Sequence, residues 1–218
     1  MDPQEITERH YETWRKREQY EPHFGCAMVL DELKCPLDML AVPAPLERGL
    51  EVAQAFESTP NMADDATVQY AFRQLVHQTD YWWKILTDVC RIKVIETDDL
   101  EPYQTAAEQC KDMVSGRLVI SYRLANDHPL LTDEEYWRFR AVHDAYGHAG
   151  IGRGFDRHGE FHAWLVHTLM FRGHGCWAMS SEYRGVNSSL VYGDNAGTGK
   201  AVLLPAEVVQ PEIHGPHV

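Results

Sequence analysis

Apolar side chains return every three to four residues along most of this chain, the spacing that lines one face of an α-helix. From Ile6 to Tyr20 the segment is charged, with Ile6, His10, Trp14 and Arg17 on one narrow stripe, which predicts an amphipathic helix. Pro36, Pro43 and Pro45 then punctuate a loop, and Pro45 suits the first position of a following helix. Leu46 to Phe56 reads as that helix, stopping near Ser58-Thr59-Pro60-Asn61. A longer helix is expected from about Asp64 to Cys90, where Val68, Phe72, Leu75, Val76, Thr79, Trp83, Leu86 and Val89 keep the helical beat. Two short stretches change period: Arg91–Glu96 and Arg117–Tyr122 read as strands able to pair with each other. Between them Pro102 to Ser115 is helical in pattern, and Gly116 ends it. Helices dominate again to about residue 190, after which the chain turns Gly-rich and then Pro-rich (Pro205, Pro211, Pro216). The fold class expected is mainly α: a single compact helical domain over residues 1–204 with a small two-stranded β element, then an extended tail over residues 205–218.

Composition narrows the class of partner. Apolar residues make up 44% and charged residues 24%, the balance of a chain that folds around a core rather than staying disordered. Asp plus Glu is 33 against 20 for Lys plus Arg, a net charge of −13, so non-specific binding to nucleic acid or to an anionic membrane is disfavoured. The densest basic run, Arg15-Lys16-Arg17, is bracketed by Glu12 and Glu18. The five cysteines form no C-x-x-C pair, which argues against a zinc ribbon or a disulfide framework and for reduced thiols. The acidic start Met1-Asp2-Pro3-Gln4-Glu5 is unlike a secretion signal, and no apolar run reaches 18 residues. A cytoplasmic protein without a membrane span, acting on a small molecule, is the expectation.

Histidine supplies the chemistry. Seven of the twelve histidines (His128, His143, His148, His158, His162, His167 and His174) fall within residues 128–174, well above an even spread. A neutral imidazole is the commonest metal ligand and a frequent general base, so the cluster points to a site. Thr132-Asp133-Glu134-Glu135 is a capping box opening a helix that carries His143 near its end. On a regular helix His143 and His148 stand about 140° apart, so they cannot share a face. Gly147 is expected to end the helix and turn His148 back towards His143. The next helix, Gly159 to Arg172, is apolar on most sides yet carries Glu160, His162 and His167. A further acid, Glu182, follows in Ser181-Glu182-Tyr183, with Arg184 and Asn187 close behind. Two histidines and a later carboxylate are the ligand types of a facial triad on Fe(II), and the same types hold zinc with one position open.

The segment His143-Asp144-Ala145-Tyr146-Gly147-His148, followed by Glu182, resembles the catalytic core of the aromatic amino acid hydroxylases. That family of non-haem iron monooxygenases carries His-Glu-x-x-Gly-His at a helix end and a third ligand, a Glu, on a later helix; here Asp144 stands at the first of those Glu positions. The resemblance covers roughly residues 132–204 and implies a largely helical core with iron held by His143, His148 and Glu182. The same residues, with Arg184-Gly185, are loosely similar to uncharacterised phage-type and bacterial proteins, a likeness that carries no activity.

Glu160 is the rival third ligand, unless it serves only as a helix-start carboxylate. Asp144 is placed behind the ligands, orienting an imidazole through its other nitrogen. Arg184 suits a bidentate clamp on a substrate carboxylate or phosphate. His162 and His167 are read as core or pocket histidines, and a His158/His162 ligand pair is disfavoured because Gly159 interrupts the helix. The leading expectation is an Fe(II) oxygenase with a 2-His-1-carboxylate site. The alternatives are a zinc hydrolase with Glu160 or Asp144 as general base, or a non-enzymatic assembly protein with a structural histidine or metal network. The hydrolase reading includes an HD-type phosphohydrolase, with His77 and Asp156 or Asp194 completing its set. Gly197-Thr198-Gly199-Lys200 fails as a phosphate loop, because Ala201 stands where Ser or Thr is required.

Overall fold

Helix starts are set by side-chain caps that the sequence announces. The computed structural model describes residues 44–123, 128–193 and 199–209, and the helix expected over Ile6–Tyr20 lies outside them. Helix α1 spans Leu46–Ser58 and α2 spans Ala66–Lys84, the latter opened by Asp65, whose carboxylate accepts from the N–H groups of Thr67 and Val68. Strand β1 (Lys93–Thr97), helix α3 (Ala106–Val114) and strand β2 (Arg117–Ser121) follow. Thr105 and Glu108 close a reciprocal capping box on α3, and Thr132 and Glu135 close the expected one on α4, Asp133–His143. Asp156 caps α5, Arg157–Met170; then come α6 (Gly173–Met179), α7 (Gly185–Tyr192) and a single turn α8 (Ala206–Val209). The fold is mainly α with one small sheet, as the periodicity predicted.

The strands do pair, in parallel, with Lys93 opposite Arg117 and Thr97 opposite Ser121. Parallel neighbours need a crossover, and α3 is that crossover. Gly116, at φ +87°, ends α3 in the left-handed conformation that a side chain would strain. The Tyr103 hydroxyl ties the unit together, accepting from Val119 N–H at 2.8 Å and donating to Asp112 at 3.0 Å.

Three helices continue past regular α geometry. α2 runs on through Ile85–Val89 (π1), α4 through Asp144–Ala149 (π2), and α6 through Ser180–Arg184 (π3) into α7. In these wider turns an N–H reaches the carbonyl five residues back, as from Gly150 to Ala145 at 2.7 Å. The main core runs between α2, α4 and α5, around Phe72, Leu75, Val142, Tyr146 and Trp164. A second cluster joins Val52 and Phe56 of α1 to Val202, Leu204 and Val209. Residues 206–209 therefore depart from the extended tail expected there: Val209 has an apolar bed to fill, and a helical turn places it in that bed.

Lys200 has a structural task. Its ammonium donates to the carbonyls of Phe56, Glu57 and Thr59, closing the C-terminal end of α1. Among the described residues Cys90, Cys110 and Cys176 form no disulfide, and no helix is long and apolar enough to cross a membrane.

Candidate metal centre

The wide turn π2 brings the two histidines together. With hydrogen bonds reaching five residues back, His143 and His148 come to the same side instead of diverging; their rings meet edge to face and their Nε2 atoms lie 2.9 Å apart. The expected Gly147 stop does not occur: the helix continues to Ala149. Gly147 is needed for space, since a Cβ there would sit 2.8 Å from the Ala163 Cβ and 3.1 Å from His143 Nδ1. The missing side chain lets α5 approach the ring it helps to fix.

Each imidazole is held by its outer nitrogen. His148 Nδ1 faces the Arg153 carbonyl at 3.2 Å; a carbonyl only accepts, so Nδ1 carries the proton and Nε2 is bare. His167 Nδ1 faces the Met170 sulfur at 3.2 Å, and a thioether likewise only accepts. The bare Nε2 of neutral His167 must then accept from His143 Nδ1, 2.9 Å away, which leaves His143 Nε2 bare as well. Two lone pairs thus face each other at 2.9 Å, an arrangement that requires a proton or a metal ion between them.

Two carboxylates complete the ring of donors. Glu160 Oε1 lies 3.5 Å from His148 Nε2 and its Oε2 3.8 Å from His143 Nε2. The Tyr183 hydroxyl and Asn187 Nδ2, the latter at 2.9 Å, donate to Oε2. Asp144 Oδ1 lies 3.8 Å from His143 Nε2, while its Oδ2 accepts from Gln109 at 3.1 Å. Asp144, expected behind the ligands, thus stands among the donors: His143, Asp144 and His148 form a group able to hold a metal ion. Glu160 lies next to this group, against His148 and His143, without being part of it.

Burial fixes the protonation of the site. It drives the His143 value well below the ordinary one, with His148 and His167 adding to the fall. Burial also opposes protonation of His148, yet Glu160, then Asp144, and the Arg153 carbonyl turn its net shift upward. Without a metal, the one proton of the centre therefore belongs on His148. Asp144 is raised, first by burial and further by Glu160, against the pull of Arg140. Burial and Glu160 hold Tyr183 well above its ordinary value, so its hydroxyl stays a donor.

Glu182, expected as the third ligand, is placed elsewhere. Its buried carboxylate faces His128 Nε2 at 3.4 Å. His128 Nδ1 accepts from Leu130 and Leu131 N–H, both at 3.1 Å, so its Nε2 carries the proton and points at Glu182. Successive helical residues diverge by about 100°. Tyr183 faces His143, with ring centroids 4.3 Å apart, and Glu182 is directed away. The acids beside the histidines are Asp144 and Glu160. Arg184 is not at the centre; its guanidinium lies 4.0 Å over the Trp164 ring, beside a small pocket that Glu160, Tyr183 and Asn187 also line.

The remaining expectations sort by position. His158 and Gly159 do lie within α5, in its first turn, but His158 Nδ1 accepts from Ala44 N–H. His162 is buried beside Phe161, and His77 is exposed on α2. The Asp156 carboxylate is engaged as the α5 cap, so among the described residues the set nominated for an HD-type site is not assembled; Asp194 lies outside them. Sequence reasoning missed Gln109 and gave Tyr183 no role. Neither carries a local signal, because each acts through an acid more than twenty residues away. No known protein family, curated protein or solved structure matches this chain.

Proposed function

We propose that this chain is a metal-dependent enzyme, holding one divalent first-row ion between His143, His148, Asp144 and Glu160 and oxidising a small substrate beside it. The observation that carries the reading is the pair of imidazole Nε2 atoms 2.9 Å apart in a buried setting, each ring engaged by its other nitrogen. Two nitrogens each about 2.1 Å from one ion lie about 3.0 Å apart at a right angle and about 3.4 Å apart at the tetrahedral angle. The observed separation fits the first of these, and it equally fits one proton shared between the two rings. Two carboxylates with two neutral imidazoles also balance a dication, which a buried site needs.

An Fe(II) ion suits this donor set and would supply O₂ activation, with two of six positions left open by four protein ligands. The protein's own part is positioning. His167 and the Arg153 carbonyl hold the two rings, while Gln109, Tyr183 and Asn187 hold the outer carboxylate oxygens. The Tyr183 proton stays on its hydroxyl and keeps Glu160 oriented, and the buried walls limit water. A zinc hydrolase is the second reading, favoured by the 3.5 Å spacing of Glu160 Oε1 and His148 Nε2, which is close to a tetrahedral edge.

Elemental mass spectrometry on tag-free protein tests the site and the metal together. About one iron per chain is expected, lost in His148→Ala and Glu160→Ala and kept in Glu182→Gln. Retention of the full metal content by Glu160→Ala would remove Glu160 from the site. Zinc in its place, surviving anaerobic reconstitution with Fe(II), would favour hydrolysis.

A further inference from the structure

Resting on the metal reading above, we propose that Tyr183 is a redox-active residue: it gives one electron to an oxidised metal ion at the centre and, in the same step, its hydroxyl proton to Glu160. Among the described residues, the rings packed against His143 and His148, besides each other, are those of His167, Tyr183 and Phe155. Of these only the phenol of Tyr183 is readily oxidised. Its ring centre lies 4.3 Å from that of His143, so a single imidazole separates it from the ion.

The proton decides whether a buried phenol can be oxidised. An oxidised phenol is a strong acid, so the electron leaves easily only where a base already accepts from the hydroxyl. Glu160 is that base. Tyr183 donates to its Oε2, and Asn187 Nδ2 donates to the same oxygen at 2.9 Å, which holds that oxygen towards the phenol. Oε1, 3.5 Å from His148 Nε2, stays with the ion. At rest the proton remains on Tyr183, and it moves only with the electron. The O–H bond of Tyr183 then breaks, an O–H bond forms on Glu160 Oε2, and the electron lowers the ion by one oxidation state, leaving a neutral phenoxyl radical. The ion loses one positive charge as Glu160 loses one negative charge, so the centre keeps its net charge and no new buried charge is created. The oxidant is the ion itself, after reaction with O₂ or a peroxide. Tyr183 is 8% exposed, with His143 and His167 against its ring. The pocket it lines holds about 40 Å³, too little for an organic reductant to enter and quench the radical. The residue therefore stores one oxidising equivalent beside the ion.

Tag-free protein, assayed for iron, is oxidised in two forms. The iron-loaded form is mixed with one equivalent of hydrogen peroxide and freeze-quenched; the chelated form is oxidised by photogenerated tris(bipyridine)ruthenium(III). Each should give a long-lived phenoxyl radical, read by its absorption and its electron paramagnetic resonance. Tyr183→Phe should lower the yield at least tenfold, counted per bound iron in the first form and per chain in the second. Where Tyr183→Phe folds poorly, a ring-fluorinated tyrosine at position 183 alone should add a fluorine splitting to the signal. A merely structural Tyr183 would move neither readout. An unchanged yield in Tyr183→Phe, a signal without the fluorine splitting, or no phenoxyl in either form overturns the proposal. A Tyr183 radical in protein that never takes up iron supports the phenol–carboxylate pair and counts against the metal reading alone. Full iron content with no phenoxyl after peroxide counts against Tyr183 alone.

Discussion

At the scale of single residues, the tautomers are decided by partners that cannot donate. The Arg153 carbonyl and the Met170 sulfur, neither of them a ligand, leave the lone pairs of His148 and His143 facing inward. In the metal-free centre His148, shifted upward, holds a proton in the space a metal would occupy. Metal binding must displace that proton, so affinity rises with pH until His148 is neutral in the apo protein. On the acid side of the raised His148 value, affinity should fall about tenfold per pH unit, the dependence of one released proton. Titrations in two buffers of different ionisation enthalpy count the protons released; a count near zero would place the proton elsewhere. The sequence carried much of this site. The histidine excess marked the region, and His143 with His148 stood out within it. Glu182 did not fit because being next to Tyr183 on a helix directs it to another face, which residue type alone does not reveal.

At the scale of elements, the wide turns do what a terminating glycine was expected to do. Residues five apart diverge on an α-helix and fall on one side in π2, so the helix can stay intact and still present both imidazoles. The cost is an exact fit around Gly147, where Ala163 and His143 leave no room for a methyl group. Gly147→Ala should lower stability by about 1–3 kcal/mol through overpacking and also weaken metal retention by displacing the His143 ring. Urea unfolding and competition with a chelator measure the two effects. Loss of stability with unchanged metal affinity would separate the α5 contact from the site. The caps at Thr105, Thr132 and Asp156 act by local side-chain chemistry and were readable in advance at Thr132. A π turn has no comparable residue signature, because it is stabilised by what packs around it.

At the scale of the whole molecule, burying the rings links the site to stability. Burial, followed by the nearby His148, lowers His167 from 6.5 to about 3, and His143 is lowered in the same sense. Below about pH 6.5 the unfolded chain binds protons at these two positions that the folded chain refuses, so stability present above that pH is lost on acidification. Asp144 and His148, both shifted upward, work in the opposite sense. The His148 contribution is complete below its ordinary value, so between pH 6 and 4 only Asp144 opposes the two lowered histidines. Chelated protein should therefore lose about 1.4 kcal/mol or more per pH unit on going from pH 6 towards 4. Urea midpoints across that range test it; a flat profile would show that water reaches both rings.

The sequence by itself determined the helical class, the two short strands, the Thr132 capping box, and the histidine-rich region in which His143 and His148 lie. These rest on local periodicity, capping and counting, all properties of neighbouring residues. Only the tertiary structure decided that Glu160 and Asp144 join the histidines, that Glu182 turns to His128, and that Arg184 lies on Trp164. Each of those outcomes depends on which faces of α4, α5 and the helix through π3 meet, and that is set by packing over many residues rather than by any one motif.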